Sequence, residues 1–84
     1  MYVAKLTIKI NRDKIAKLEE MLREKWNAEN ITFKELAGVW RISFVTQDHR
    51  KAFAFEKVVN NYGGTVLRKW ITKIKEVAQH NAKL

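Results

Sequence analysis

The chain has 84 residues and no cysteine, which excludes disulfide frameworks, thiolate metal sites and cysteine nucleophiles. Its composition, 46% hydrophobic and 31% charged, is typical of one folded domain and excludes a chain that stays disordered. Lys and Arg number 17 against 9 Asp and Glu, and the formal net charge of +8 favours a polyanionic partner.

The first segment, residues 2–10, alternates between apolar and polar side chains and predicts a half-buried strand. Its even-numbered residues are expected to face the core and its odd-numbered residues the solvent. Asn11 or Asp13 is positioned to cap a helix over residues 12–27. Apolar residues recur in that helix at helical spacing: Ile15, Leu18, Leu22 and Trp26.

Two further apolar segments, residues 31–36 and 39–46, predict a β-hairpin that turns at Ala37-Gly38. A two-residue and a four-residue turn centred at Ala37-Gly38 give the same register, and in it the apolar residues of the two strands lie on one side. In that register Leu36 pairs with Val39, Lys34 with Arg41, Phe33 with Ile42 and Ile31 with Phe44.

Asp48 is a favourable N-cap for a second helix over residues 48–62, which the pair Gly63-Gly64 is expected to end. The segment from Thr65 suits either a strand or a helix, and we prefer a strand over residues 65–72. Residues 73–84 then form a C-terminal extension. The core-facing residues of the second helix are Ala52, Phe55, Val59 and Tyr62.

The resulting order of strand, helix, strand, strand, helix, strand is the split βαβ pattern. It predicts an α+β domain with a ferredoxin-like βαββαβ fold, in which a four-stranded antiparallel sheet carries two helices on one face. The other face of the sheet is left open.

Alternation places basic residues on this open face, and no acidic residue shares it in the predicted register. Lys5 and Lys9 come from the first strand, and Lys34 and Arg41 from the hairpin. Because Lys34 and Arg41 are directly opposite and carry like charges, they repel each other unless an anion binds between them. Lysines on a solvated strand face also deter edge-to-edge association, so a structural role for them is an equal alternative.

The last strand adds to the open face in either of two ways. One parity turns Leu67, Lys69, Ile71 and Lys73 outward, and the other turns out Arg68, Trp70 and Thr72, whose indole can stack on a base. We prefer the first parity because it buries Trp70. The predicted nucleic-acid-binding residues are Lys5, Lys9, Lys34, Arg41, Arg68, Lys69, Trp70 and Lys73.

The second helix has an aromatic residue, Phe53, on the side away from its core-facing stripe, next to Arg50 and Lys57. Phe53 is either a stacking ring flanked by phosphate ligands or a packing contact, and we prefer the packing contact. That contact is made in a homodimer, with the C-terminal segment of the same chain, or with another protein.

Groups suited to catalysis are few. His49 follows a capping residue and His80 lies in a polar tail, and neither has a nucleophile or metal-ligand spacing beside it. The sequence therefore predicts no catalytic residue, metal or cofactor, and a role other than catalysis is favoured.

Part of the chain, residues 22–69, resembles the core of the LAGLIDADG homing endonucleases. The segment 26–30 is similar to the acidic end of the family motif, and the resemblance implies that Glu29 takes the place of the metal-binding acid. The rest of the resemblance is a run of strand, Thr-Gln turn, helix, Gly and strand. The strand and turn are Arg41-Ile42-Ser43-Phe44-Val45-Thr46-Gln47-Asp48. The helix contains Phe55, Val59 and Tyr62, and the Gly and following strand are Gly63-Gly64-Thr65-Val66.

The chain also departs from this family. Arg23 and Glu24 stand where the family has small residues for close helix packing, and Asn30 replaces the usual Gly. What the resemblance implies is a basic sheet that faces DNA, without implying that the chain cleaves it.

The sequence therefore predicts a small basic protein that binds nucleic acid, DNA or RNA, through phosphates. The alternative is a protein-interaction module that uses the Phe53 face, and the third possibility is a degenerate or accessory homing-endonuclease-like DNA-binding domain. No run of about 18 apolar residues is present, so no membrane partner is expected, and the lack of cysteine favours the cytoplasm.

Overall fold

The structure is a computed structural model that describes residues 1–74, so the predicted extension beyond residue 74 lies outside the described residues. A 3-10 turn, Arg12–Lys14, precedes the first α-helix, and a π-helical turn, Met21–Lys25, follows it. The strands and α-helices are β1 (Tyr2–Lys9), α1 (Ile15–Glu20), β2 (Glu29–Leu36), β3 (Val39–Thr46), α2 (His49–Asn61) and β4 (Thr65–Lys73).

The four strands form one sheet in the order β2-β3-β1-β4, and all neighbouring strands are antiparallel. The predicted α+β class, with a four-stranded antiparallel sheet and two helices, is confirmed. Strand β1 pairs with β3 on one side and with β4 on the other, so it is a central strand.

Both helices pack against the same face of the sheet and enclose the core with it. Phe55 of α2 lies at the centre, with its ring 5.1 Å from that of Phe44 and 6.0 Å from that of Trp26. Complete burial of such a side chain stabilises the fold by about 1.5–3 kcal/mol. The buried core residues are Ala4, Leu6, Ile8, Ile15, Leu18, Leu22, Ile42, Phe44, Ala52, Phe55 and Val59.

The first helical segment differs from the predicted helix over residues 12–27. Asn11 is its N-cap but makes no side-chain hydrogen bond there, and the segment ends at Lys25. In the π-helical turn the N–H of Trp26 donates to the carbonyl of Met21 at 3.0 Å, which is an i to i−5 bond. Asn27 then adopts a left-handed φ of 54°, and β2 begins at Glu29 instead of the predicted Ile31.

The predicted hairpin register is confirmed from Leu36–Val39 to Phe33–Ile42. The predicted pair of Ile31 with Phe44 is wrong, because the register shifts between Glu29 and Thr32. Asn30 lies within this shift and has a positive φ of 51°. Asn tolerates that conformation better than most residues, so this position accommodates the irregularity.

The ends of α2 follow the predicted caps. The Asp48 carboxylate accepts the N–H of Arg50 at 2.9 Å, and this backbone hydrogen bond lowers the pKa of Asp48. The cap is therefore lost only as the pH falls through that lowered pKa. At the other end Gly63 has a φ of +85°, and the N–H of Gly64 donates to the carbonyl of Val59 at 2.9 Å, as in a Schellman motif.

The hairpin turn suggests a stabilising substitution. Ala37 has a φ of 52° and Gly38 a φ of 83°, as a two-residue turn of type I′ requires, but the Cβ of alanine disfavours that region. We expect Ala37→Asn to raise the free energy of unfolding by about 0.5–1 kcal/mol. Urea denaturation followed by circular dichroism measures the change. Ala37→Val is the opposite control and should lower stability, so equal stability of both variants would contradict the assigned turn.

Candidate nucleic-acid interface

The position of Trp70 is decided by a β-bulge in the pairing of β1 with β4. Ile8 pairs with Val66 and Thr7 with Arg68, which leaves Leu67 as the extra residue. The bulge shifts the alternation of β4 by one residue. Both Val66 and Ile71 therefore pack against the core, although one is even-numbered and the other odd-numbered.

The predicted burial of Trp70 is consequently wrong. Trp70 pairs with Lys5 and Arg68 with Thr7, and these residues lie on the open face of the sheet. Trp70 is 54% exposed. The parity that we considered less favourable is the one that the chain adopts.

Two rows of side chains cross the open face at right angles to the strands. The first row, Lys34-Arg41-Thr7-Arg68, runs through direct pairs from β2 to β4. The second row is Thr32-Ser43-Lys5-Trp70 and lies two residues further along each strand. Adjacent rows on one face are about 7 Å apart, and neighbouring strands are about 4.8 Å apart.

These two rows line a groove of about 340 Å³, which we call the sheet groove. Its charged side chains are all basic, and Thr7, Thr32 and Ser43 add three hydroxyls. These three hydroxyls are not among the predicted binding residues, although they have the same parity as the cations of their strands, which is the signal that places them on this face. Five basic residues line the groove. Lys69 is one of them, but its ammonium is paired with Glu56 of α2. We call the other four the groove cations: Lys5, Lys34, Arg41 and Arg68.

Several basic residues around the helices and the sheet edge form ion pairs with carboxylates, and among the described residues the groove cations do not. Arg12 forms an ion pair with Glu35, Arg23 with Glu19, Arg50 with Asp48 and Lys69 with Glu56. Within residues 1–74, no carboxylate forms an ion pair with any of the four groove cations. Because Lys34 and Arg41 are also cross-strand neighbours, the groove concentrates uncompensated positive charge.

Lys5 and Trp70 are in direct contact. The Lys5 ammonium lies 5.1 Å from the centroid of the indole, within the range of a cation–π interaction. This contact holds the ring beside the charged row and orients an exposed aromatic surface within the groove.

Two other predicted binding residues do not direct their ammonium groups into the groove. Lys69 lines the groove, but its ammonium is turned toward α2, 2.7 Å from the Glu56 carboxylate and 5.6 Å from the Phe53 ring centroid. Lys73 pairs with Tyr2, a residue of the helix-covered side. The preferred parity, with Lys69 and Lys73 on the open face, was therefore wrong, because it assumed a strand without a bulge.

Two other parts of the predicted surface also lie apart from the groove. Lys9 lines a separate depression at the end of the sheet, beside Gly38 and Thr65. Phe53 lies on α2 and is 54% exposed, with Arg50 and Lys57 exposed on the same helix.

Glu29, the acid suggested by the endonuclease resemblance, is exposed at the start of β2 and pairs with Val45. Among the described residues, no three His, Asp or Glu side chains gather into a possible metal site.

Comparison with known proteins finds no match to a protein-family model and no similar curated sequence. No helix within residues 1–74 has the length and apolar character needed to cross a membrane.

The repulsion between Lys34 and Arg41 predicts that Lys34→Glu stabilises the fold. An opposite-charge pair at directly opposed strand positions is expected to gain about 0.2–1 kcal/mol. Urea denaturation measures the change. Lys9→Glu is the matched control, since it makes the same substitution in a strand opposite the uncharged Thr65. Equal effects of both substitutions would show that the Lys34–Arg41 pair carries no repulsion.

Proposed function

We propose that the chain binds nucleic acid through the sheet groove. The observation that carries this proposal is the concentration of Lys5, Lys34, Arg41 and Arg68 in one groove without an acidic lining residue. A surface that only needed solubility would gain as much from cations mixed with acids, as on the outer side of the first helix. Four cations in one groove, with no acidic residue among them, instead favour a polyanionic binding partner.

The groove residues have distinct roles in this proposal. Arg41 and Arg68 present planar guanidinium groups that can contact two phosphate oxygens at once. Lys34 acts as a single positive charge, and the hydroxyls of Thr7, Thr32 and Ser43 donate hydrogen bonds to phosphate. None of these contacts reads a base, so we expect little sequence specificity from them.

We further propose that the fold is ferredoxin-like. Counted from the other edge, the strand order is β4-β1-β3-β2. Helix α1 connects β1 to β2 with β3 between them, and α2 connects β3 to β4 with β1 between them. Two such interleaved crossovers on one sheet face support the split βαβ assignment. Such folds host many functions, so the fold alone does not support nucleic-acid binding.

The phosphate contacts are tested with Arg41→Gln. We expect this variant to bind more weakly at low salt, and the slope of log affinity against log salt concentration to fall by about 1. Fluorescence anisotropy with labelled oligonucleotides at several salt concentrations measures both quantities. Arg23→Gln is the matched control, because it removes the same charge from the helical side of the domain.

Binding that does not depend on salt would contradict the proposal. So would an equal loss in Arg41→Gln and Arg23→Gln, because the affinity would then follow net charge and not the groove.

Phe53 supports a second role in self-association. Phe53 is 54% exposed on α2, with the Lys69 ammonium 5.6 Å from its ring centroid, so part of the ring is open to a second copy of the chain. We expect the protein to dimerise and Phe53→Ser to shift it to monomer in sedimentation velocity, without loss of nucleic-acid binding. A wild-type protein that stays monomeric at high concentration would contradict this role.

The cytoplasm remains the expected compartment.

A further inference from the structure

We infer that the sheet groove takes single-stranded nucleic acid, with a base stacked on Trp70 and the backbone along the row of Lys34, Arg41 and Arg68. This inference rests on the proposed nucleic-acid binding and adds the form of the strand and its placement. The observation behind it is that the groove contains an exposed indole as well as phosphate ligands.

The dimensions of the sheet argue against a duplex in its major groove. The axes of the four strands span about 14 Å, whereas the major groove is about 12 Å wide. A helix or a two-stranded ribbon fits into that groove, but both helices within residues 1–74 are packed on the opposite face of the sheet. The face that carries the cations can therefore contact a duplex only along its outer phosphates.

The exposed indole requires a base whose face is accessible. In a duplex the faces of the bases are covered by their stacked neighbours, so Trp70 would gain nothing from a duplex. A single strand exposes its bases, and stacking on aromatic side chains is tolerant of sequence because every base has a π-face. The Lys5 ammonium lies over one face of the indole, 5.1 Å from its centroid, and orients the ring before the ligand arrives. A base stacks on the face that Lys5 leaves open, since Trp70 is still 54% exposed.

The arrangement of the two rows defines how the strand lies. Arg68 and Trp70 are two residues apart on β4, with Lys69 turned to the other side. A base on Trp70 would therefore lie about 7 Å from the charged row, which continues across the sheet to Lys34. The base and the backbone thus occupy neighbouring rows, with the backbone crossing the strands of the sheet.

The test compares the wild type with Trp70→Leu, which keeps an apolar side chain but removes the aromatic face. The ligands are a labelled single strand of about 12 nucleotides, as DNA and as RNA, and the duplex of the same sequence. We expect Trp70→Leu to weaken single-strand binding between about 5-fold and 100-fold. Duplex binding and the salt dependence should stay unchanged, because no phosphate contact is removed.

A matched control and a modified ligand isolate the stacking contact. Leu67→Ala removes a residue of the same strand that is 53% exposed and does not line the groove, and it should bind as the wild type does. A single strand that has abasic sites throughout keeps its phosphates but loses its bases. The wild type should bind it as weakly as Trp70→Leu binds the normal strand, and Trp70→Leu should not distinguish the two.

The outcomes separate this inference from the proposed function. If Trp70→Leu binds single strands as the wild type does, or loses single strand and duplex equally, the stacking inference is overturned. A salt-dependent loss in Arg41→Gln would in that case still support phosphate binding. If the wild type binds neither form at low salt, the proposed function fails as well. If single-strand binding is confirmed, tighter binding of the DNA or of the RNA strand shows which nucleic acid the groove prefers.

Discussion

The alternation of β1 is the constraint on which both faces of the domain depend. This central strand buries Ala4, Leu6 and Ile8 almost completely against the helices, while Lys5 and Thr7 face the groove. Each transverse row passes through one of these two outward residues. Because side chains alternate with a period of two, a slip of one residue would bury lysine and expose isoleucine. The energy that fixes the core therefore also fixes the position of the groove cations.

The bulge at Leu67 connects the core to the groove in a second way. A regular β4 would place either Val66 or Ile71 in the core, but not both, because their numbers differ in parity. The extra residue allows both to pack inward, and it turns Arg68 and Trp70 outward. The exposed indole is thus the consequence of a packing requirement at two other positions, and the cation–π contact with Lys5 compensates for part of its exposure.

Features that depend on residues close together in the sequence were predictable. The alternation in β1, the Asp48 cap and the turn at Ala37-Gly38 each follow from local propensity, so the faces of β1 and the hairpin register were largely right. The bulges at Asn30 and Leu67 depend on which residues the partner strand presents, which a single segment does not reveal. Trp70 and Lys69 were misplaced for this reason, while Lys5, Lys34 and Arg41 were not.

The distribution of charge carries more functional information than its amount. On the first helix Arg23 pairs with Glu19, and such exposed pairs contribute little to stability while keeping the surface soluble. In the groove, Lys34 and Arg41 lie opposite each other at a cost of some tenths of a kcal/mol to about 1 kcal/mol. A small domain is stable by only about 5–15 kcal/mol, so this cost is a measurable fraction. An anion bound between the rows would remove the repulsion between Lys34 and Arg41 and offset its cost. An acidic residue in the groove would also remove the repulsion, but it would weaken the binding of an anion.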